Sequence, residues 1–211
     1  MFIELVDALR CPRDHAESWL VASATHMEAR HIMRGTLGCP VCLAEYPVED
    51  GVVDFRADRR AVPTRRETRP ADSAMRLAAM LDLADASGFA VLIGAWGSIA
   101  AELTGIVETP LILVDPSGEI VGSPGISWLR CDGQIPLATG AARAVAIDAA
   151  SCIRSDSAVR VARANGRVLA PIAVPVPQGM RELARDAQVW VGEREAIASP
   201  IVKLHVRRAH A

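Results

Sequence analysis

Apolar residues recur along this chain with two different rhythms, and the change between them divides it. Over residues 1–10, Phe2, Leu5, Val6 and Leu9 fall at helical spacing, so a short amphipathic helix is expected there. Ser18–Ala24 and Ala29–Leu37 read as the two strands of a hairpin, and Glu45–Phe55 as a short strand, an Asp50-Gly51 turn and a second strand. Beyond residue 70 the pattern is a helix over Ala71–Gly88, carrying Met75, Leu77, Ala78, Met80, Leu81 and Ala84 on one face, followed by continuous apolar runs. Phe89–Ile93 and Leu111–Asp115 are such runs, as strands buried on both faces of a parallel sheet must be. Ser98 starts a helix to about Thr104, Ser127–Arg130, Ala144–Asp148 and Arg167–Val174 are further strands, and helices are expected near Asp156–Ala164 and Gly179–Ala187. Gln188–Glu193 and Ile201–Arg207 close the series as an antiparallel end pair. The fold class that follows is α/β, a small β module and then a shortened Rossmann-like, doubly wound sheet.

Between the two parts, residues 56–70 hold six arginines against two acids, with two prolines and few apolar side chains. This reads as a linker, giving a module over 1–55, a tether over 56–70 and an α/β domain over 71–211. With 211 residues, 51% of them apolar, the chain can fill such a core, and its net charge of −2 creates no global attraction to nucleic acid or membrane. The apolar runs fall short of the roughly 20 residues that span a bilayer. Glu4 and Asp7 stand where a secretory start would be basic, so the reducing cytoplasm is the expected compartment.

That compartment bears on the five cysteines, Cys11, Cys39, Cys42, Cys131 and Cys152. Cys39-Pro40-Val41-Cys42 sets two thiols on one side of a tight turn, a geometry that serves a zinc site, a redox dithiol or two core residues. Cys11-Pro12-Arg13-Asp14-His15 supplies a partner turn, with His15, or Asp14, where a second thiol would stand. Cys11, His15, Cys39 and Cys42 then make a closed Cys₃His set, and a metal staple suits a module with so small a core. His26 and His31 lie off the turns, as ordinary hairpin residues.

Cys11-Pro12, Cys39-Pro40-Val41-Cys42 and Tyr46-Pro47-Val48-Glu49-Asp50-Gly51-Val52 together resemble the Trm112-like zinc-ribbon family, over about a quarter of the chain. The resemblance implies a small structural-zinc partner that binds and stabilises methyltransferases, or is fused to one. This copy departs from it at Asp14, where the second cysteine of the first turn is expected.

Downstream, four pieces in order resemble class I S-adenosylmethionine-dependent methyltransferases of the type 11 group. Val91-Leu92-Ile93-Gly94-Ala95-Trp96-Gly97-Ser98 stands at the glycine-rich motif, and Asp115, 21 residues after Gly94, at the ribose-binding acid. Cys131-Asp132-Gly133-Gln134-Ile135-Pro136-Leu137 stands at the adenine-contacting segment, and Val159–Leu169 at the turn before strand five. The resemblance implies Gly94, Gly97, Asp115 and Asp132 as cofactor-binding residues. It also shows losses: no acid precedes the glycine loop, two glycines replace three, and Trp96 sits inside the loop. These features together suggest a methyltransferase-like protein with weakened or lost catalysis and no assignable catalytic residue, acting as a binding, regulatory or assembly partner to another protein or to its own copies. An active enzyme on a small molecule or protein is the alternative. A factor in RNA or tRNA methylation, using the Arg-rich stretch, is a further one.

Overall fold

The structure, a computed structural model, describes residues 1–58, 73–84, 87–117 and 125–196. Most of the Arg-rich stretch, the expected strand Ile201–Arg207, and His205 and His210 lie outside the described residues.

Among the described residues, eleven strands form one sheet. The N-terminal module supplies β1 (Val21–Glu28), β2 (His31–Gly38), β3 (Glu45–Glu49) and β4 (Val52–Asp54), paired antiparallel in sequence order. The remainder supplies β5 (Ala90–Ile93), β6 (Leu111–Val114), β7 (Ile126–Arg130), β8 (Ala142–Ala146), β9 (Ala162–Pro171), β10 (Met180–Arg185) and β11 (Val189–Arg194). Their spatial order is β7-β6-β5-β8-β9-β11-β10. The first five strands in this order pair parallel and correspond to a doubly wound 3-2-1-4-5 order, with its switch point between β5 and β8. β11 runs antiparallel between β9 and β10.

The module joins this sheet without a break. β4 lies parallel to β7, with Val53 opposite Leu129, and the ladder continues through a bond from the Phe55 N–H to the Arg130 carbonyl (2.8 Å). One side of the α/β sheet is covered by α1 (Ala74–Leu81) and α2 (Ala100–Leu103), whose Leu77, Leu81 and Leu103, with Ile99 just before α2, meet Ala90, Leu92, Leu111 and Leu113. The other side presents Val91, Ile93, Ile112 and Val114 to α3 (Ser155–Val161) and to the module's Leu5, Leu9, Leu37 and Tyr46. Alternation along β5 and β6 therefore feeds two cores, and the module serves as part of the second layer. Backbone bonds secure it there, from the Arg10 N–H to the Pro136 carbonyl (2.9 Å) and from the Ala138 N–H to the Ala8 carbonyl (2.8 Å).

Local chemistry explains most boundaries. Ser73 caps α1 by accepting the Arg76 N–H, and Asp82 ends that helix in the left-handed region. Ile3–Ala8 forms a 3-10 helix instead of the expected α-helix. The expected helix over Gly179–Ala187 is instead the edge strand β10, whose side chains are exposed apart from Met180. Its register comes from pairing with β11, through a turn held by Asp186, whose carboxylate accepts the N–H groups of Gln188 and Val189 (2.7 and 2.8 Å) and pairs with Arg76.

The Val189 and Gln188 amides, followed by Arg76, lower the Asp186 pKa to about 2. Because the folded value lies below the unfolded one, the stabilisation is present above about pH 4 and is lost as pH falls towards 2. Asp186→Asn should therefore melt below the native protein at pH 7, and the two melting temperatures should converge by about pH 2. Among the described residues, no helix is long and apolar enough to cross a membrane.

Candidate metal centre and candidate ligand crevice

Among the described residues, polar side chains gather in two places of interest, the turns of the module and the carboxyl ends of the parallel strands.

In the first, the ligand atoms of Cys11, His15, Cys39 and Cys42 all lie within 4.8 Å of one another. Cys11 Sγ and Cys42 Sγ are 3.7 Å apart, and Cys39 Sγ is 3.5 Å from His15 Nε2. A tetrahedral zinc with its usual bond lengths requires edges of about 3.8 Å between sulfurs and about 3.6 Å from sulfur to nitrogen. The set fits, and it contains His15; Asp14 is outside it.

The surroundings also suit a metal. His15 Nδ1 lies 2.7 Å from the Ala16 carbonyl, which fixes the proton on Nδ1 and leaves the Nε2 lone pair facing the thiols. The Tyr46 hydroxyl lies 3.2 Å from Cys11 Sγ, placed to donate to a thiolate. Burial pushes the Cys39 thiol up, but the amides of Cys42 and Val41, with the neighbouring thiols, bring it down to about 6. A thiol held so low is a ready metal ligand.

The second cluster surrounds the switch point. Gly94 follows β5 at φ +61°, and the chain turns there into a 3-10 helix, Gly94–Ile99, that contains Gly97. A Cβ on Gly94 would lie 2.1 Å from Asp148 Oδ2. Asp148, buried just beyond β8, accepts the Ala95 N–H on Oδ2 and the Ser151 N–H on Oδ1, both at 2.8 Å. It thereby ties the glycine loop to the 3-10 helix Ala149–Arg154. Trp96 points away from the crevice into the core beneath α1 and α2.

Asp115 stands just past β6, at φ +43°. Its Oδ2 accepts from Arg154 Nη1 (2.7 Å), and its Oδ1 accepts the Cys131 N–H (3.2 Å). Arg154 Nη2 also donates to the Cys131 carbonyl (2.7 Å). Asp132 accepts the Ala57 N–H on Oδ2 (2.9 Å), so the chain leaving the module crosses the end of β7. In that crossing segment, buried Arg56 holds Asp54 through two bonds of 2.9 and 2.7 Å. Burial, followed by the Asp115 charge, pushes the Cys131 thiol up to about 12, so it remains a neutral thiol and no nucleophile.

The four sequence-derived crevice residues thus lie on the same end of the sheet: Gly94 and Gly97 after β5, Asp115 after β6, and Asp132 after β7. Sequence reasoning missed Asp148 and Arg154. Asp148 carried a signal, an acid at a strand end immediately before Ala-Ala-Ser, whereas Arg154 carried none. A separate cavity of about 440 Å³ opens at the opposite, amino end of the strands, lined by Phe2, Leu5, Phe89, Pro110 and Ile112, with the Glu4–Arg30 pair also in its wall.

In sequence, the chain matches no protein-family model and no curated protein. Among solved structures it is similar to the antibiotic-resistance methyltransferase Kmr, with 15% identity over 59% of this chain and 94% of that one and a TM-score of 0.41. It is also similar to the T. thermophilus 16S rRNA N2 G1207 methyltransferase RsmC, in complex with AdoMet and guanosine, with 13% identity over 88% of this chain and 47% of that one and a TM-score of 0.32.

Proposed function

We propose that this chain is a methyltransferase-like protein with a structural, Trm112-like zinc ribbon, whose capacity for S-adenosylmethionine chemistry is weakened or lost and which acts as a binding, regulatory or assembly partner. The observation that carries this reading is the state of Asp115: both carboxylate oxygens are bonded to the chain's own donors, Arg154 and the Cys131 amide. An acid that is to hold a ribose diol must offer those oxygens to the ligand. Asp132, bonded to Ala57, adds to the argument.

The zinc would be held by Cys11, His15, Cys39 and Cys42, with no open position for substrate, so its chemistry is to staple the fold. A protein partner is favoured by exposed Trp19, Val21, Val41 and Leu43, which lie on or beside the cysteine turns and the edge strand β1.

Calorimetry on the native protein tests this reading. S-adenosylmethionine and S-adenosylhomocysteine should show no saturable binding tighter than about 1 mM. Micromolar affinity for either would overturn it and favour an active methyltransferase, a reading that rests on Gly94 in the left-handed conformation beside the switch point and Asp115 at the end of the next strand. In that case Asp115→Ala should abolish product formation.

A further inference from the structure

One side chain bridges the two strand ends of the crevice. Arg154 ends the 3-10 helix that Asp148 caps, reaches across to β6 and β7, and is largely buried, with 14% of its side chain exposed. One guanidinium nitrogen neutralises Asp115 and another bonds the Cys131 carbonyl, so the fork spans the two strand ends where a nucleoside would lie. Asp115 itself keeps 31% of its side chain exposed. Removing Arg154 therefore returns its carboxylate to water and leaves no sealed, unpaired charge.

We propose that Arg154 is a built-in plug of the crevice, a cation of the chain itself occupying the carboxylate that would otherwise receive a nucleoside's ribose diol. The inference rests on the reading of the crevice as a weakened nucleoside site, and it names the cause of the weakness. The backbone that shapes the crevice remains intact: the Ala95 N–H, next to Gly94, is tied down by Asp148, and Asp115 is on the rim of the same switch point. What Arg154 alters is access to Asp115 Oδ2, whereas Oδ1 accepts the Cys131 N–H whether or not the guanidinium is present. Ligand and Arg154 compete for the same acceptor, and an arginine supplied by the chain is always present at high effective concentration.

The test is calorimetric titration of the full chain with adenosine, 2′-deoxyadenosine and S-adenosylhomocysteine. Arg154→Ala and Arg154→Gln should bind adenosine and S-adenosylhomocysteine at least about tenfold more tightly than the native protein, and 2′-deoxyadenosine should gain clearly less because it lacks half of the diol. Adding Asp115→Asn to either variant should cancel the gain. If both variants retain the native circular dichroism and bind no more tightly than the native protein, the plug is refuted while the weakened-site reading stands. A gain that survives Asp115→Asn also refutes it. If the native chain already binds adenosylhomocysteine with micromolar affinity, the weakened-site reading itself fails. Arg154→Lys, which keeps a charge but lacks the fork, carries the test should the two larger changes prevent folding, and a smaller gain of the same ligand order is then expected.

Discussion

Stripping the metal, or replacing Cys39 by Ser, should lower the melting temperature of the whole chain by roughly 10 °C or more, in a single transition. The size follows from ligation: a structural zinc site contributes directly to folding free energy, and losing on the order of 4 kcal/mol in a chain of this length shifts the midpoint by about 8–16 °C. The single transition follows from the sheet. β4 is hydrogen-bonded to β7, and Leu37, Cys39, Tyr46 and Phe55 share a core with Val91, Ile93, Ile135 and Leu137. Melting the module would expose the face of the α/β sheet that it covers. Differential scanning calorimetry before and after chelation checks this, with elemental analysis expected to give about one zinc per chain. Two separated transitions, with the second unchanged by chelation, would show the module to be an appendage. Full zinc occupancy in a Cys11→Ser/Cys39→Ser/Cys42→Ser variant would refute the site.

How much of this was legible beforehand depends on whether the deciding contacts are local. The buried strands are legible: the apolar runs 89–93 and 111–115 match β5 and β6 within a residue, because a strand covered on both faces must be apolar throughout. The gathering of Cys11, His15, Cys39 and Cys42 into one cluster was legible because each Cys-Pro turn is a local unit. The attachment of the module was not, since parallel pairing of β4 with β7 joins residues about 75 positions apart and leaves no periodic mark in either strand. The segment of β10 has the spacing of a helix at Met180, Leu183 and Ala184, while the pairing that makes it a strand comes from β11. Arg154 was invisible for the same reason: its partner Asp115 is 39 residues away, and the chain has 22 arginines to choose among.

The glycine loop supplies the other large effect: Gly94→Ala should destabilise the protein by about 3 kcal/mol or more. Two independent costs converge there. An L-residue at φ +61° costs about 1 kcal/mol relative to glycine, and the new methyl would sit 2.1 Å from Asp148 Oδ2 and 2.6 Å from its Cγ. Asp148 cannot simply swing away, because it is buried and both of its oxygens hold backbone N–H groups, those of Ala95 and Ser151. Moving it would strand the buried Ala95 donor, a further loss of about 1–3 kcal/mol, and weaken the hold on the part-buried Ser151 N–H, which also reaches the Asp148 carbonyl. The two effects are therefore coupled and separable by a double-mutant cycle. Asp148→Ala alone should cost roughly 2–4 kcal/mol through the lost amide bonds, and in that background Gly94→Ala should cost only about its backbone share of 1 kcal/mol. Denaturant melts of the four proteins give the coupling directly. A strictly additive cycle would mean that the glycine is required by the backbone turn alone, and that Asp148 does not define the floor of the crevice.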